Sequence, residues 1–224
     1  MTLKIGIFGD SWGSGEWNHD INDYRVLHRG VEQYLVDDGY TVENYSIPAG
    51  SNHESYLKIK ENHQAFDHII WFTSEPSRDF QNWNYFYNKE KPHLELPNRN
   101  HDDLDSICKE NFQRQLTETQ SLCKNIMFVG GLTGARAQSV VNFTADVKDL
   151  VGYEGEEYYI HPGCFGEDAV EIVRKKYPNE VKNQENFFNF IIHNKKWFWP
   201  DGIHPNRHLH KLIYDKIKTE LDGH

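Results

Sequence analysis

Cysteine, basic charge and long apolar runs are all scarce in this sequence of 224 residues. Its three cysteines, at positions 108, 123 and 164, are too few and too widely spaced for a disulfide framework or a zinc knuckle. Asp and Glu total 34 against 24 Lys and Arg, and the resulting net charge of −10 disfavours non-specific binding to nucleic acid or anionic membranes. No apolar run approaches the ~18 residues that cross a bilayer, and no signal-peptide pattern opens the chain. We therefore expect a protein of a reducing compartment, cytoplasmic, with no nucleic-acid partner and no membrane insertion; association with a virus particle stays open.

The aromatic content is high, with 13 Phe, 12 Tyr and 6 Trp. Large side chains of this kind favour a folded core over disorder. The length suits one domain of ordinary size, because a chain of this length buries one core without splitting. We expect a single domain over residues 1–224.

The order of elements predicts an α/β fold. Short apolar runs that end at glycine or proline are typical of buried parallel strands, and amphipathic stretches separate them. Such an alternation gives a three-layer sandwich with a mostly parallel sheet. The predicted strands cover 3–8, 40–47, 68–73 and 126–129, and the predicted helices cover 21–38, 55–66, 102–124, 167–177, 185–193 and 205–221. The segments 74–101 and 133–165 read as insertion-like excursions from this pattern.

Small and polar residues follow each predicted strand. In open parallel sheets function gathers at the carboxyl ends of the strands. The residues at these ends are Gly9-Asp10-Ser11, Gly50-Ser51-Asn52, Ser74-Glu75 and Gly130-Gly131.

Two short motifs at opposite ends of the chain predict a nucleophilic site. Ser11 lies in a sharp strand-to-loop turn, where an exposed hydroxyl and nearby amides suit attack on a carbonyl. Asp201 precedes His204 by three residues, a spacing that lets the carboxylate reach Nδ1 and leaves Nε2 as a base. Pro205 suits the first position of the last helix. Either motif alone is more often a plain turn or a helix cap, but together they have the order and placement that a serine hydrolase requires.

The sequence resembles the SGNH (GDSL-type) hydrolase family in three blocks. These are Ile7-Phe-Gly-Asp-Ser11, Asn44 to Gly50, and Asp201-Gly-Ile-His-Pro-Asn206. The resemblance implies a flavodoxin-like sandwich and a metal-free esterase or acylhydrolase that needs no cofactor. It also implies that Ser11 is the nucleophile, His204 the base and Asp201 its orienting carboxylate, with the Ser11 and Gly50 amides as oxyanion donors. The leading substrate is a small-molecule or carbohydrate ester, acetyl being the favoured acyl group.

One block departs from the family. The family's Gly-x-Asn-Asp block supplies an Asn side chain to the oxyanion, and here Glu75 and Pro76 occupy the Asn and Asp positions. An ionised Glu75 cannot donate, and losing one oxyanion donor costs about 10²–10³ in rate. Three alternatives stay open: Glu75 is protonated, it pairs with Arg78, or Asn52, Ser74 or a residue of 77–101 donates instead. Because of Glu75, the same fold retained as an inactive binding or assembly module is the alternative function.

Other clusters have a functional and a structural interpretation. His204, His208 and His210 could hold a metal, although a solvated helix end is the simpler reading and no metal is expected. Trp197, Phe198 and Trp199 form either a substrate platform or core and rim packing. The aromatic residues at 83–87 make 74–101 either a substrate lid or a protein interface.

Overall fold

The computed structural model describes residues 2–18, 20, 23–76, 78–79, 101–132, 141–155, 175 and 178–223. The strands are β1 (Lys4–Phe8), β2 (Glu16–Trp17), β3 (Val26–His28), β4 (Thr41–Asn44), β5 (His68–Phe72), β6 (Ile126–Gly130) and β7 (Phe143–Asp146). The helices are α1 (Ser11–Ser14), α2 (Val31–Asp37), α3 (Asn52–Asn62), α4 (His101–Leu122), α5 (Val147–Val151), α6 (Pro178–His193), α7 (Lys195–Phe198) and α8 (Arg207–Asp222). A 3₁₀ turn, His63–Ala65, extends α3.

Five strands form a parallel sheet in the order β4-β1-β5-β6-β7. In β1, Ile5 is paired with Val42 of β4 on one side and with His68 of β5 on the other. Every residue of β5 is buried, which fits its largely apolar sequence HIIWF.

The sheet has a layer of helices on each face, because successive strand residues point to opposite sides. Ile5, Ile7, Ile70 and Phe72 pack with α2, α6 and α8 in one core cluster. The alternate residues Phe8, Ile69 and Trp71 pack with α3 and α4 in a second cluster. The structure therefore confirms the predicted three-layer α/β sandwich.

The strand order places a topological switch point at the carboxyl ends of β1 and β5. The chain leaves β1 for β4 on one side and then returns to β5 on the other, the order 2-1-3-4-5 of flavodoxin-like sheets. Connections diverge at such a switch point, and ligands bind outside it. Ser11 follows β1 and Ser74 follows β5, so both candidate residues lie at this edge.

The predicted helix over 21–38 is wrong in its first half. Val26–His28 forms β3, which pairs antiparallel with Glu16–Trp17. Helix α2 begins only at Val31, after Gly30 with φ of 58°. A Cβ at Gly30 would lie 2.6 Å from Nδ1 of His210. The left-handed backbone and this close approach end the hairpin and prevent one continuous helix.

The segment 133–165 and the start of the last helix also need correction. Phe143–Asp146 and Val147–Val151 form β7 and α5 inside the segment 133–165, which was expected to be irregular. The last helix begins at Arg207 rather than Pro205, because Asn206 is its N-cap and accepts from the amides of His208 and Leu209. Most of 74–101 and the predicted helix over 167–177 lie outside the described residues.

No helix in the described part of the chain is both long enough and apolar enough to cross a membrane.

Candidate active site

Ser11 lies at the tight turn between β1 and α1. Gly9 has φ of 150°, and a Cβ there would lie 2.6 Å from Cβ of Phe72, so this position requires glycine. Asp10 caps α1 by accepting from the Trp12 amide at 2.9 Å. The Ser11 amide is one of the first N–H groups of α1, which have no acceptor within a helix. The turn therefore directs an amide and a hydroxyl to the carboxyl edge of the sheet.

Asp201 and His204 lie in the loop between α7 and α8. One oxygen of Asp201 accepts from the amides of Ile203 and His204, at 3.0 and 2.9 Å. The other lies 2.5 Å from Nδ1 of His204. Burial alone would raise the pKa of Asp201, but the hydrogen bonds from His204 and Ile203 outweigh it and hold this pKa below its ordinary value. Asp201 is therefore ionised and positioned to hold the imidazole.

The two ends of the chain meet at a hydrogen bond. Nε2 of His204 lies 2.8 Å from Oγ of Ser11, and both residues are buried. The structure thus brings Ser11, His204 and Asp201 into one hydrogen-bonded chain. This arrangement can take a proton from the serine and stabilise the imidazolium that results.

Asn206 fixes the loop that carries His204. Its side chain caps α8 and also donates to the Lys196 carbonyl at 2.9 Å, and its amide donates to the Trp197 carbonyl at 2.8 Å. Phe198 is fully buried in the core while Trp199 is half exposed. The aromatic run 197–199 thus combines core packing with one exposed ring.

Two residues expected to line the oxyanion site, Gly50 and Asn52, are occupied by hydrogen bonds of their own. The Gly50 amide donates to the Ile47 carbonyl at 2.7 Å. The Asn52 side chain donates to the Ser74 carbonyl at 2.8 Å and accepts from the Ser74 amide at 2.9 Å. Oγ of Ser74 is buried without a hydrogen-bond partner in the described structure. Asn52 therefore holds the loop after β5, and the Ser74 hydroxyl is left to donate elsewhere.

Glu75 pairs with Arg78, one of the alternatives that the sequence left open. The guanidinium lies 3.1 Å from Glu75 and 3.0 Å from Asp10, the residue before Ser11. Burial raises the pKa of Asp10, and the Arg78 charge opposes that rise. We call Asp10, Glu75 and Arg78 the ion cluster. One cation shared by two carboxylates compensates part of the negative charge beside Ser11.

The three histidines weighed as metal ligands do not share one environment. His208 is exposed, whereas His204 and His210 are buried. The solvated-helix-end interpretation is therefore wrong for His210, which faces Gly30 and the core. Among the described residues, no group of three His, Cys, Asp or Glu side chains could hold a metal ion.

Four residues near the site were missed from the sequence. Trp17 of β2 donates to the Ser11 carbonyl, and Tyr24 before β3 contacts His204. Glu16 of β2 bonds to Arg207 at the start of α8. The helix predicted over 21–38 includes the residues of β3, so the sequence did not predict the hairpin. The break at Gly30 after Val26-Leu27-His28 is the signal that could have revealed it.

No family model and no curated protein matches the chain. Solved structures do match. One is the psychrotrophic esterase EstA from Pseudoalteromonas sp., at 12% identity over 99% of this chain and 97% of that chain, with a TM-score of 0.45. Another is the lipase/acylhydrolase from Enterococcus faecalis, at 15% identity over 99% and 96%, with a TM-score of 0.48. A third is Axe2, an acetylxylan esterase from Geobacillus stearothermophilus, at 14% identity over 97% and 93%, with a TM-score of 0.44. Similarities this low assign no activity to this chain.

Proposed function

We propose that this protein is a serine esterase of the SGNH type that removes a short acyl group through Ser11, His204 and Asp201. The observation that carries the proposal is the hydrogen-bonded chain from Oγ of Ser11 to Nε2 of His204, and from Nδ1 of His204 to Asp201. Ser11 and His204 are 193 positions apart, so their local sequences alone do not bring them into contact. The contact therefore supports a joint role for the two motifs.

The reaction follows the geometry. Oγ of Ser11 attacks the ester carbonyl, and its proton passes to Nε2 of His204. The tetrahedral intermediate collapses, and His204 returns the proton to the departing alcohol, which leaves an acyl group on Ser11. Water then attacks the acyl-enzyme and gives a proton to His204. The second tetrahedral intermediate collapses with release of the acid, and His204 returns the proton to Oγ of Ser11. Ionised Asp201 accepts from Nδ1–H of His204 and stabilises the imidazolium during both acylation and deacylation.

The oxyanion site is weaker than the one that the resemblance implies. The Ser11 amide, at the first position of α1, is the donor that remains for it, because the Gly50 amide already donates to Ile47 and would have to be shared. A carboxylate, Glu75, stands where the family has an amide donor, with Arg78 compensating its charge. Each missing donor costs about 10²–10³ in rate. We therefore expect a slow esterase.

The ester substrate that we propose is an acetylated carbohydrate or another small acetate. Two half-exposed aromatic rings, Tyr24 and Trp199, belong to the segments that contact or carry His204. The departing alcohol must lie near His204, and flat aromatic faces there suit the apolar faces of a sugar ring.

The second candidate is a binding or assembly module with this fold and no useful turnover. Two observations favour it: the engaged Gly50 amide, and Glu75 in place of a donor. Such a protein would retain the hydrogen bond between Ser11 and His204 without forming an acyl-enzyme.

Hydrolysis of p-nitrophenyl acetate by the wild type, Ser11→Ala and an exposed-serine control, Ser121→Ala, tests the proposal. We expect a burst of nitrophenol in the wild type and in the control and none in Ser11→Ala, with longer acyl chains cleaved more slowly. The same three proteins are then assayed on acetylated oligosaccharides for release of acetate. Equal activity in all three would contradict the proposal. No activity in any would favour the binding module.

A further inference from the structure

A small hairpin contacts both halves of the proposed triad. It is formed by β2 and β3, with Glu16 paired to His28 and Trp17 to Val26. It lies outside the main sheet, and the three blocks of the family resemblance do not include it.

The first contact is to the serine turn. Nε1 of Trp17 donates to the Ser11 carbonyl at 2.9 Å, and the indole is buried. The hairpin thereby restrains the backbone of the nucleophile.

The second contact is to the start of α8. Buried Glu16 accepts from the Arg207 amide at 2.7 Å and from Arg207 Nη2, also at 2.7 Å. Arg207 lies three residues after His204, so this pair ties the hairpin to the histidine loop.

The third contact is to the imidazole itself. The hydroxyl oxygen of Tyr24 lies 3.2 Å from Nδ1 of His204, and the Tyr24 ring stacks on Trp17 with centroids 4.7 Å apart. Nδ1 carries its proton when it donates to the Asp201 carboxylate, so the Tyr24 oxygen is a second acceptor for the same N–H. Burial and the nearby Asp201 charge raise the pKa of Tyr24, which keeps the phenol neutral.

We propose that Tyr24 is a positioning residue for His204, holding the ring orientation in which Nε2 points at Ser11. The inference rests on the proposed function, because it assigns Tyr24 a role in the same proton transfer. With Asp201 as the only partner of Nδ1, the imidazole can still rotate about its Cβ–Cγ bond. A second partner on the same atom restricts that rotation, and the stack on Trp17 restricts Tyr24 in turn.

The test compares Tyr24→Phe with Tyr45→Phe. Both changes remove one hydroxyl and keep a stacked ring, since Tyr45 stacks on Phe8 and donates to Glu43 at 2.8 Å, away from the triad. We expect kcat for p-nitrophenyl acetate to fall about 3- to 10-fold in Tyr24→Phe, as for the loss of one hydrogen bond, with KM within about twofold. Tyr45→Phe should keep both constants. A rise in KM at unchanged kcat would overturn the proposal, because it would make the Tyr24 hydroxyl a substrate contact and not a partner of His204.

A spectroscopic readout separates this proposal from the proposed function. The Nδ1 proton of His204 is followed as a low-field proton resonance, assigned by its loss in His204→Gln. We expect the resonance to shift and to exchange faster with water in Tyr24→Phe, and to stay in place in Tyr45→Phe. An unchanged resonance in Tyr24→Phe overturns the proposal. If the wild type shows no esterase activity but the resonance shifts, the proposed function fails while the positioning of His204 by Tyr24 holds.

Discussion

Oγ of Ser11 and Nε2 of His204 lie 2.8 Å apart although 193 positions separate them in the chain. Ser11 is carried by the turn after β1, and His204 by the loop before α8. The sheet and α8 bring these loops together, and the β2–β3 hairpin bonds to both of them. The chemistry of the site therefore depends on contacts far apart in sequence, which the following predictions test.

The carboxylate of Asp201 is expected to be essential for turnover. Asp201→Asn keeps a side chain of the same shape but loses the charge that holds Nδ1–H, and we expect kcat to fall by about 10³–10⁴. Asp215→Asn, on the exposed face of α8, is the matched control and should keep wild-type kcat. Steady-state kinetics on p-nitrophenyl acetate provide the measurement. A loss of less than tenfold in Asp201→Asn would show that Asp201 does not orient the base.

The ion cluster is expected to keep hydrolysis faster, because Arg78 compensates the negative charge of Glu75. Arg78→Gln leaves the Asp10 and Glu75 carboxylates without the cation that both contact. Their charge then opposes the developing oxyanion, and we expect kcat/KM to fall at least about tenfold. Adding Glu75→Gln to Arg78→Gln removes one of these charges and should recover part of the loss. A double variant slower than Arg78→Gln alone would contradict this role.

Arg207 is expected to stabilise the fold through buried Glu16. Burial alone would raise the pKa of Glu16, but its hydrogen bonds from Arg207 outweigh burial and hold this pKa below its ordinary value. Arg207→Ala removes the guanidinium from that buried carboxylate but keeps the backbone amide of residue 207 as a donor. Because one donor remains and the guanidinium is half exposed, we expect the free energy of unfolding to fall by about 2–4 kcal/mol, toward or below the low end of the cost of breaking a buried pair.

Lys211→Ala is the control for Arg207→Ala. It removes an exposed pair with Asp215 on the same helix and should cost less than about 1 kcal/mol. Urea unfolding of the variants gives both values. Equal losses would mean that the buried pair contributes no more than a surface pair.

His210 is expected to make the fold sensitive to acid. Burial is the main cause that lowers its pKa to about 4, whereas a histidine in the unfolded chain titrates near 6.5. Below about pH 6.5 the unfolded chain binds a proton that the folded protein does not, so stability falls as the pH drops to about 4. The loss is about 3 kcal/mol.

Unfolding measured from pH 7 to pH 4 tests the role of His210. His210→Gln removes the titrating group and should flatten the pH dependence over this range. The exposed His208→Gln should leave it as in the wild type. An identical slope in wild type and His210→Gln would exclude His210 as its cause.

Three strands of the sheet were predictable because they are largely apolar runs. Lys4–Phe8, His68–Phe72 and Ile126–Gly130 match their predicted spans within one residue. Strands buried on both faces need such runs. The alternation with helices then fixed the layers.

The hairpin was not predictable in the same way. Strands β2 and β3 hold only two and three residues, and bonds to Ser11, His204 and Arg207 maintain them. A local pattern cannot show contacts with residues nearly 200 positions away. β7 was missed for a related reason, because its sequence FTAD is too polar to read as a buried strand.

The site was predictable where chemistry follows from local spacing. Asp201 and His204 lie one turn apart, and Ser11 follows a strand, so each motif is visible alone. The compensation of the Glu75 charge could not be predicted from the sequence, because only the fold shows that Arg78 contacts both Glu75 and Asp10.

The measurement that tests the account most directly is labelling with an organophosphonate ester, followed by mass-spectrometric location of the modified peptide. A serine activated by a neighbouring base reacts covalently with such a reagent. The account predicts one label per chain, on Ser11, and none in Ser11→Ala or His204→Gln. No label on the wild type, or a label on another serine, would contradict it.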